Sequence, residues 1–427
     1  MGSGETSVTA GASVRPGRLD FLDGLRGLAA VQVVLLHYAA AFLPGLGTQD
    51  PGLVHFGWER RFLRAPYFFP FDGTFSVYLF FAISGTVLTL AFGRHPLALG
   101  SAALRRTVRL GIPMAASLAL AALLLSVWPR AHVEAGALSN SYWLSGLMNA
   151  DTSAAEVLRE ALGSGMVLGY RETSALPEAV WSVFPSDGIG HTLNPPLWSL
   201  HLEFWGSVLV ALLAAVRHLA PPRAHLGLAL GLTALLSRNP LLPFVAGHLF
   251  ALAWQSPGWP AVQRSTGWRV VGAVALWAGV WACTNPPWRW ISAWLAAPGL
   301  FKLWSGDTHL QSLYAALLFF TGTMLFPPFW RLLGSRPVQA LGHNSFGLYL
   351  VHFPVLFTVA SAAFAAALGY VPYGAAVVVA VVAGIVPTVA VTVAFTRLVD
   401  GPSLRLSRHV GLPTLLRRPA SAASVGP

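Results

Sequence analysis

Apolar stretches long enough to cross a hydrocarbon core of about 30 Å recur from one end of this chain to the other. In lipid every backbone N–H and C=O must find its partner within the protein, and a helix is the only open element that meets this demand segment by segment. The expected fold is therefore all-α, a polytopic transmembrane helical bundle rather than a barrel. Composition agrees, since 55% of the 427 residues are hydrophobic and only 10% are charged. About ten helices are expected, over residues 27–43, 75–92, 110–128, 197–216, 225–236, 240–254, 269–283, 310–326, 341–367 and 374–395. The fifth and sixth of these are short or broken.

Charge sets the expected orientation. With the amino terminus inside, two-thirds of the 27 basic residues fall on the cytoplasmic side, including Arg94, Arg105, Arg106, Arg109, Arg331 and Arg336. Acidic residues concentrate in the loop at 131–194, with Glu134, Asp151, Glu156, Glu160, Glu172, Glu178 and Asp187. The positive-inside rule then puts both termini in the cytoplasm of a multi-pass protein, expected in the cell membrane. The net charge of +11 reads as this orientation signal and not as a nucleic-acid surface, because no basic stripe is interleaved with exposed aromatics. Residues 1–17 form an expected disordered cytoplasmic tail without the layout of a cleaved signal peptide. Residues 18–397 form the membrane domain, and 398–427 a second cytoplasmic tail. The loop at 131–194 is too long for a simple connection; it is expected to be a partly structured extracytoplasmic cap that recognises an acceptor. The single cysteine, Cys283, excludes a disulfide and any cysteine-built metal centre, and no metal or bound cofactor is expected.

The chemistry-bearing residues lie where charge is costly. On the first span Arg26 and His37 are eleven residues apart, so they share one helix face at a separation of about 16 Å. Asp23 precedes Arg26 by one turn and can pair with it. His37 lies deep; it either faces a wet interior or bonds a neighbouring helix. The fourth span carries Glu203, preceded by Trp198 and Ser199. A carboxylate near the membrane interior costs on the order of 2.5 to 3.5 kcal/mol and needs a partner or a proton. Counted inward from the outer face, Glu203 and His37 lie at the same depth. A histidine oriented by a carboxylate is a usual arrangement for activating a hydroxyl, so the two are expected to meet. Arg106 and Arg109 share a face where the third helix leaves the cytoplasm, suited to gripping the phosphates of a donor or simply to fixing topology. Ser84 and Gly85 near mid-membrane either pack helices closely or line a narrow channel. Tyr349 and His352 on the ninth span either line the site or brace the bundle.

Taken in order, Arg26-x10-His37, Phe80-Phe81-Ala-Ile83-Ser84-Gly85, Arg106-x-x-Arg109, Trp198-Ser-Leu-x-x-Glu203 and Leu348-Tyr-Leu-Val-His352 resemble the acyltransferase 3 family of membrane O-acyltransferases. The resemblance runs from about Asp23 to Phe395. Gly111 departs from it, placing one extra residue between Arg109 and Pro113. It implies a ten-helix enzyme that transfers an acyl group, expected to be acetyl, from acyl-CoA to a hydroxyl of a carbohydrate or small-molecule acceptor. It carries over His37 and Arg26 as essential, Arg106 and Arg109 as donor contacts, and Glu203 as a partner. The competing expectation is a proton-coupled secondary transporter, since intramembrane His and Glu can also relay protons. No matching halves are evident in the sequence, and neither a Gly-x-Ser-x-Gly elbow nor a His-Glu-x-x-His pair is present.

Overall fold

The structure, a computed structural model, describes residues 19–64, 66–92, 99–174, 176, 183, 188–283 and 307–410. The expected tail at 1–17, the end of the second tail, and Arg94, Glu178 and Asp187 lie outside the described residues. Among the described residues the fold is all-helical, with no strand.

Each of the ten expected segments is a helix. We number them α1 (Asp20–Phe42), α2 (Gly73–Phe92), α3 (Leu99–Val127), α4 (Trp198–Leu219), α5 (Pro222–Leu235), α6 (Leu242–Gln255), α7 (Thr266–Ala282), α8 (Asp307–Leu325), α9 (Arg336–Val355) and α10 (Tyr373–Phe395). Not all are membrane spans by length. Six helices are long and apolar enough to cross, and a seventh span forms if α8 is joined to the helix Pro327–Leu333 across a bend of 98°. The helices α5 and α6 have 14 residues each and α7 has 17. At about 1.5 Å per residue, 14 residues cover about 21 Å, short of the hydrocarbon core. Among the described residues, six or seven spans are supported in this way, short of the expected ten.

Two helices extend furthest beyond their expected ends. α3 begins at Leu99, so Arg105, Arg106 and Arg109 stand inside it rather than ahead of it. α10 continues through a π-helical turn, Thr396–Asp400, into α11 (Gly401–His409), where a tail was expected.

At the centre, α1 runs parallel to α9, and α2 packs on the other side of α1. The backbones of α1 and α9 meet at glycines. A Cβ on Gly27 would stand 2.4 Å from the backbone nitrogen of Gly342, and one on Gly342 would stand 2.2 Å from the carbonyl oxygen of Asp23. Only glycine permits that approach, and it fixes the register of the two helices. α2 and α6 approach in the same way at Gly85, where a Cβ would lie 2.3 Å from the Phe244 carbonyl oxygen. Asp72 caps α2, accepting from the Phe75 N–H at 2.8 Å.

The segment after α3 is folded over one end of this core. It contains the helices Ala131–Ser139, Tyr142–Ser145 and Ala154–Arg159 and the π-helix Glu160–Leu168. Its attachment follows from the unpaired carbonyls that end any helix. Ser141 donates to the Ala40 carbonyl at 2.7 Å and Ser139 to the Ala41 carbonyl at 2.8 Å, both in the last turn of α1. A second tie is Glu160, which accepts from Tyr170 OH at 2.5 Å and from the Leu193 N–H at 2.9 Å, just ahead of α4. Burial pushes the Glu160 carboxyl up to about 7, outweighing the two hydrogen bonds, which act the other way.

Candidate active site

His37 and His352 each stand ten residues beyond the Gly27–Gly342 contact on parallel helices. That common offset places them side by side. His37 Nδ1 lies 2.8 Å from His352 Nε2, with the rings 5.1 Å apart and nearly parallel. His352 Nδ1 is 2.9 Å from the Leu348 carbonyl oxygen, one turn earlier on α9. A carbonyl only accepts, so His352 Nδ1 carries the proton. Its Nε2, in the neutral ring, is then an acceptor, and the proton between the histidines belongs to His37 Nδ1. His37 Nε2 is left with its lone pair. Trp143 from the cap stacks on the His37 ring at 5.4 Å, and Phe353 closes its edge at 5.0 Å.

His37 and Glu203 do not meet as expected. Glu203 accepts from Ser84 Oγ at 2.6 Å and is ion-paired with Arg106. Arg106 Nε also donates to Ser207 Oγ at 2.7 Å, and Ser207 Oγ donates to the Glu203 carbonyl at 2.5 Å. The physical demand was read correctly, since a carboxylate in this setting needs a counter-charge. The counter-charge is a guanidinium one helix away, and the side chain bonded to His37 is His352.

Three cavities lie in series along the bundle. The one at the end opposite the cap, about 310 Å³, lies between the end of α2, the start of α3 and α11, and carries Arg105, Arg106 and Arg109. The middle one, about 270 Å³, shares Arg106 and Arg109 with it and adds Arg26, Ser84, Ser199 and Glu203. The third, about 110 Å³, holds His37 with Trp143, Trp198 and Phe353 beneath the cap. Tyr349 and Val77 line both the middle and the third, so they form the partition between arginines and base. Tyr349 is held there by bonds of its hydroxyl to Ser199 at 2.7 Å and to the Pro196 carbonyl at 3.0 Å.

The remaining expected site residues separate accordingly. Arg26 faces the middle cavity with no ion-pair or hydrogen-bond partner among the described residues. Asp23 forms no ion pair with it and lines none of the three cavities; its backbone lies against Gly342. Ser84 lines the middle cavity, whereas Gly85 is spent on the contact with α6 and lines none. Trp198 belongs to the His37 chamber and Ser199 to the arginine-lined one. Sequence reasoning missed Trp143, Ser207 and Asp400, the last of which is ion-paired with Arg109. Only the charge of Asp400 beside a basic segment was a signal. No group of three or more His, Cys, Asp or Glu able to hold a metal ion occurs among the described residues.

A buried histidine pair and a cluster of arginines thus sit in neighbouring cavities within a bundle of apolar helices, the architecture of a multi-pass membrane protein. The acyltransferase domain family, acyltransferase 3, matches residues 19–397, and the chain belongs to it. No curated protein and no solved structure matches it. The protein is therefore an integral membrane acyltransferase, and the transporter expectation is set aside.

Proposed function

We propose that the protein transfers a short acyl group, acetyl, from acyl-CoA to a hydroxyl of a carbohydrate or small-molecule acceptor, with His37 Nε2 as the general base. The observation that carries this reading is the fixed tautomer: the chain from the Leu348 carbonyl through His352 leaves a lone pair on His37, in a chamber that Tyr349 and Val77 part from the arginine-lined cavity. The acyl donor enters by its thioester arm from the cavity of Arg106, Arg109 and Arg26, whose charges match its phosphates. The acceptor arrives from the cap side, where Trp143, Trp198, Pro195 and Ile189 offer an uncharged, largely aromatic surface.

In the transfer step the acceptor hydroxyl gives its proton to His37 Nε2 as its oxygen attacks the thioester carbonyl carbon. The C–S bond breaks, the new C–O ester bond remains, and the proton passes from His37 to the departing thiolate. No proton is gained or lost overall. His352 stabilises the imidazolium formed midway by accepting from Nδ1–H throughout.

The volume of the His37 chamber supports a small acyl group. A cavity of about 150 Å³ accommodates a benzene ring. The His37 chamber, about 110 Å³, therefore holds an acetyl carbonyl and the reacting carbinol of the acceptor with little to spare. Purified protein in detergent should release free CoA from acetyl-CoA faster than from octanoyl-CoA when acceptor is present. Equal rates with both donors would contradict the chamber argument, and release from neither would contradict the donor.

A further inference from the structure

The family match ends at residue 397, yet the chain beyond it is built into the donor side of the site. α11 docks on α3 through Ser403, whose hydroxyl donates to the Val108 carbonyl at 3.1 Å and lies 3.4 Å from that of Arg109. One turn earlier, Asp400 is ion-paired with Arg109. The guanidinium carbon of Arg109 also lies 4.9 Å over the ring of Phe346, a cation–π contact. A guanidinium has five N–H donors, and Asp400 takes one through Nη1. Arg109 is thus fixed in orientation by a carboxylate and an aromatic face while most of its donors remain for a ligand.

The chamber beside it has the chemistry of an anion site. Its walls carry Arg105, Arg106 and Arg109 and no carboxylate, with Phe92 as a flat apolar surface and Leu404 and Ser407 of α11 closing one side. Arg106 and Arg109 keep their carboxylate partners, Glu203 and Asp400, outside this lining, so the chamber presents the charge of Arg105 and the unspent N–H donors of the other two; these suit phosphate oxygens, and the aromatic wall suits a ligand that bears a ring.

We infer that α11 forms one wall of a binding chamber for the phosphorylated nucleotide end of the acyl donor, and that Asp400 is the positioning residue that holds Arg109 towards it. This rests on the acyl-CoA reading above. The test reads binding apart from turnover: isothermal titration of the full chain, in phospholipid-free detergent, with adenosine 3′,5′-bisphosphate. Wild type should bind. Asp400→Asn, which removes the clamp, and Ser407→Trp, which fills the chamber, should each bind about tenfold more weakly, while Asp400→Glu should restore most of the affinity. With acetyl-CoA as substrate, Asp400→Asn should raise KM far more than it lowers kcat. No binding by wild type, or equal binding by all four proteins, would overturn the inference. So would displacement by phosphatidylglycerol that Asp400→Asn and Ser407→Trp leave unchanged, because that marks a lipid phosphate elsewhere. Nucleotide binding with this pattern but without acyl transfer would leave the chamber standing and remove the proposed reaction instead.

Discussion

The proposed reaction needs a lone pair on one ring nitrogen of His37, and that depends on a short chain of atoms reaching the backbone of α9. Replacing His352 with phenylalanine removes the acceptor for Nδ1–H and lets the ring turn or change tautomer. His352→Phe should lower kcat roughly 10²-fold with little change in donor KM, measured by steady-state CoA release. Glu203 belongs to a different structure, its ion pair with Arg106. Glu203→Gln should destabilise the protein by about 3 kcal/mol, read as a lower midpoint in detergent unfolding, because a largely buried guanidinium loses its counter-charge. The need of His37 and Glu203 for partners was legible in the sequence, since ionisable residues inside apolar helices always require an explanation. Which partners they find was not. His37 and His352 are 315 residues apart, and depth along a helix carries no information about azimuth.

Helix existence was read well and helix limits poorly, for one reason. Hydropathy ends a helix at its first charges, whereas arginines that point into a cavity are inside the helix. α3 therefore begins at Leu99 rather than near residue 110, and α10 continues as α11 past Arg397. The cap shows the converse: its polar residues bond to specific backbone groups, as Ser139 and Ser141 do at the end of α1. Glu160 makes the cap sensitive to pH. Its carboxyl titrates near 7 in the fold against 4.5 as the ordinary value. Between those values the unfolded chain has released the proton and the folded one has not, so stability falls as pH rises through this window and levels off above about 7. The full difference is on the order of 3 kcal/mol. Glu160→Gln should abolish the slope, followed by the pH dependence of hydrogen exchange at the Leu193 amide. An unchanged slope would place the titrating group elsewhere.

Across the whole molecule the three cavities give the bundle a direction, from arginines at one end to the capped histidine at the other. Under the positive-inside rule and the proposed reaction, that direction predicts a sidedness: donor from the cytoplasm, acceptor from the outer face. Cysteines introduced singly at Arg408 and at Tyr142, which lie exposed at the two ends, should be labelled by impermeant maleimide from opposite sides of sealed vesicles. Labelling of both from one side would contradict this topology. Among the described residues only six or seven helices are long and apolar enough to be complete spans, because α5 and α6 are apolar enough to resemble spans but have 14 residues each.

The most direct measurement compares wild type with a folded His37→Ala protein, supplying acetyl group labelled with carbon-14 as acetyl-CoA together with cell-envelope glycans and hydroxylated small molecules as acceptors. Wild type should form labelled ester, and His37→Ala should form it at least roughly 10³-fold more slowly while melting at a similar temperature. Label transfer by His37→Ala at the wild-type rate would show that the proton is taken by some other group.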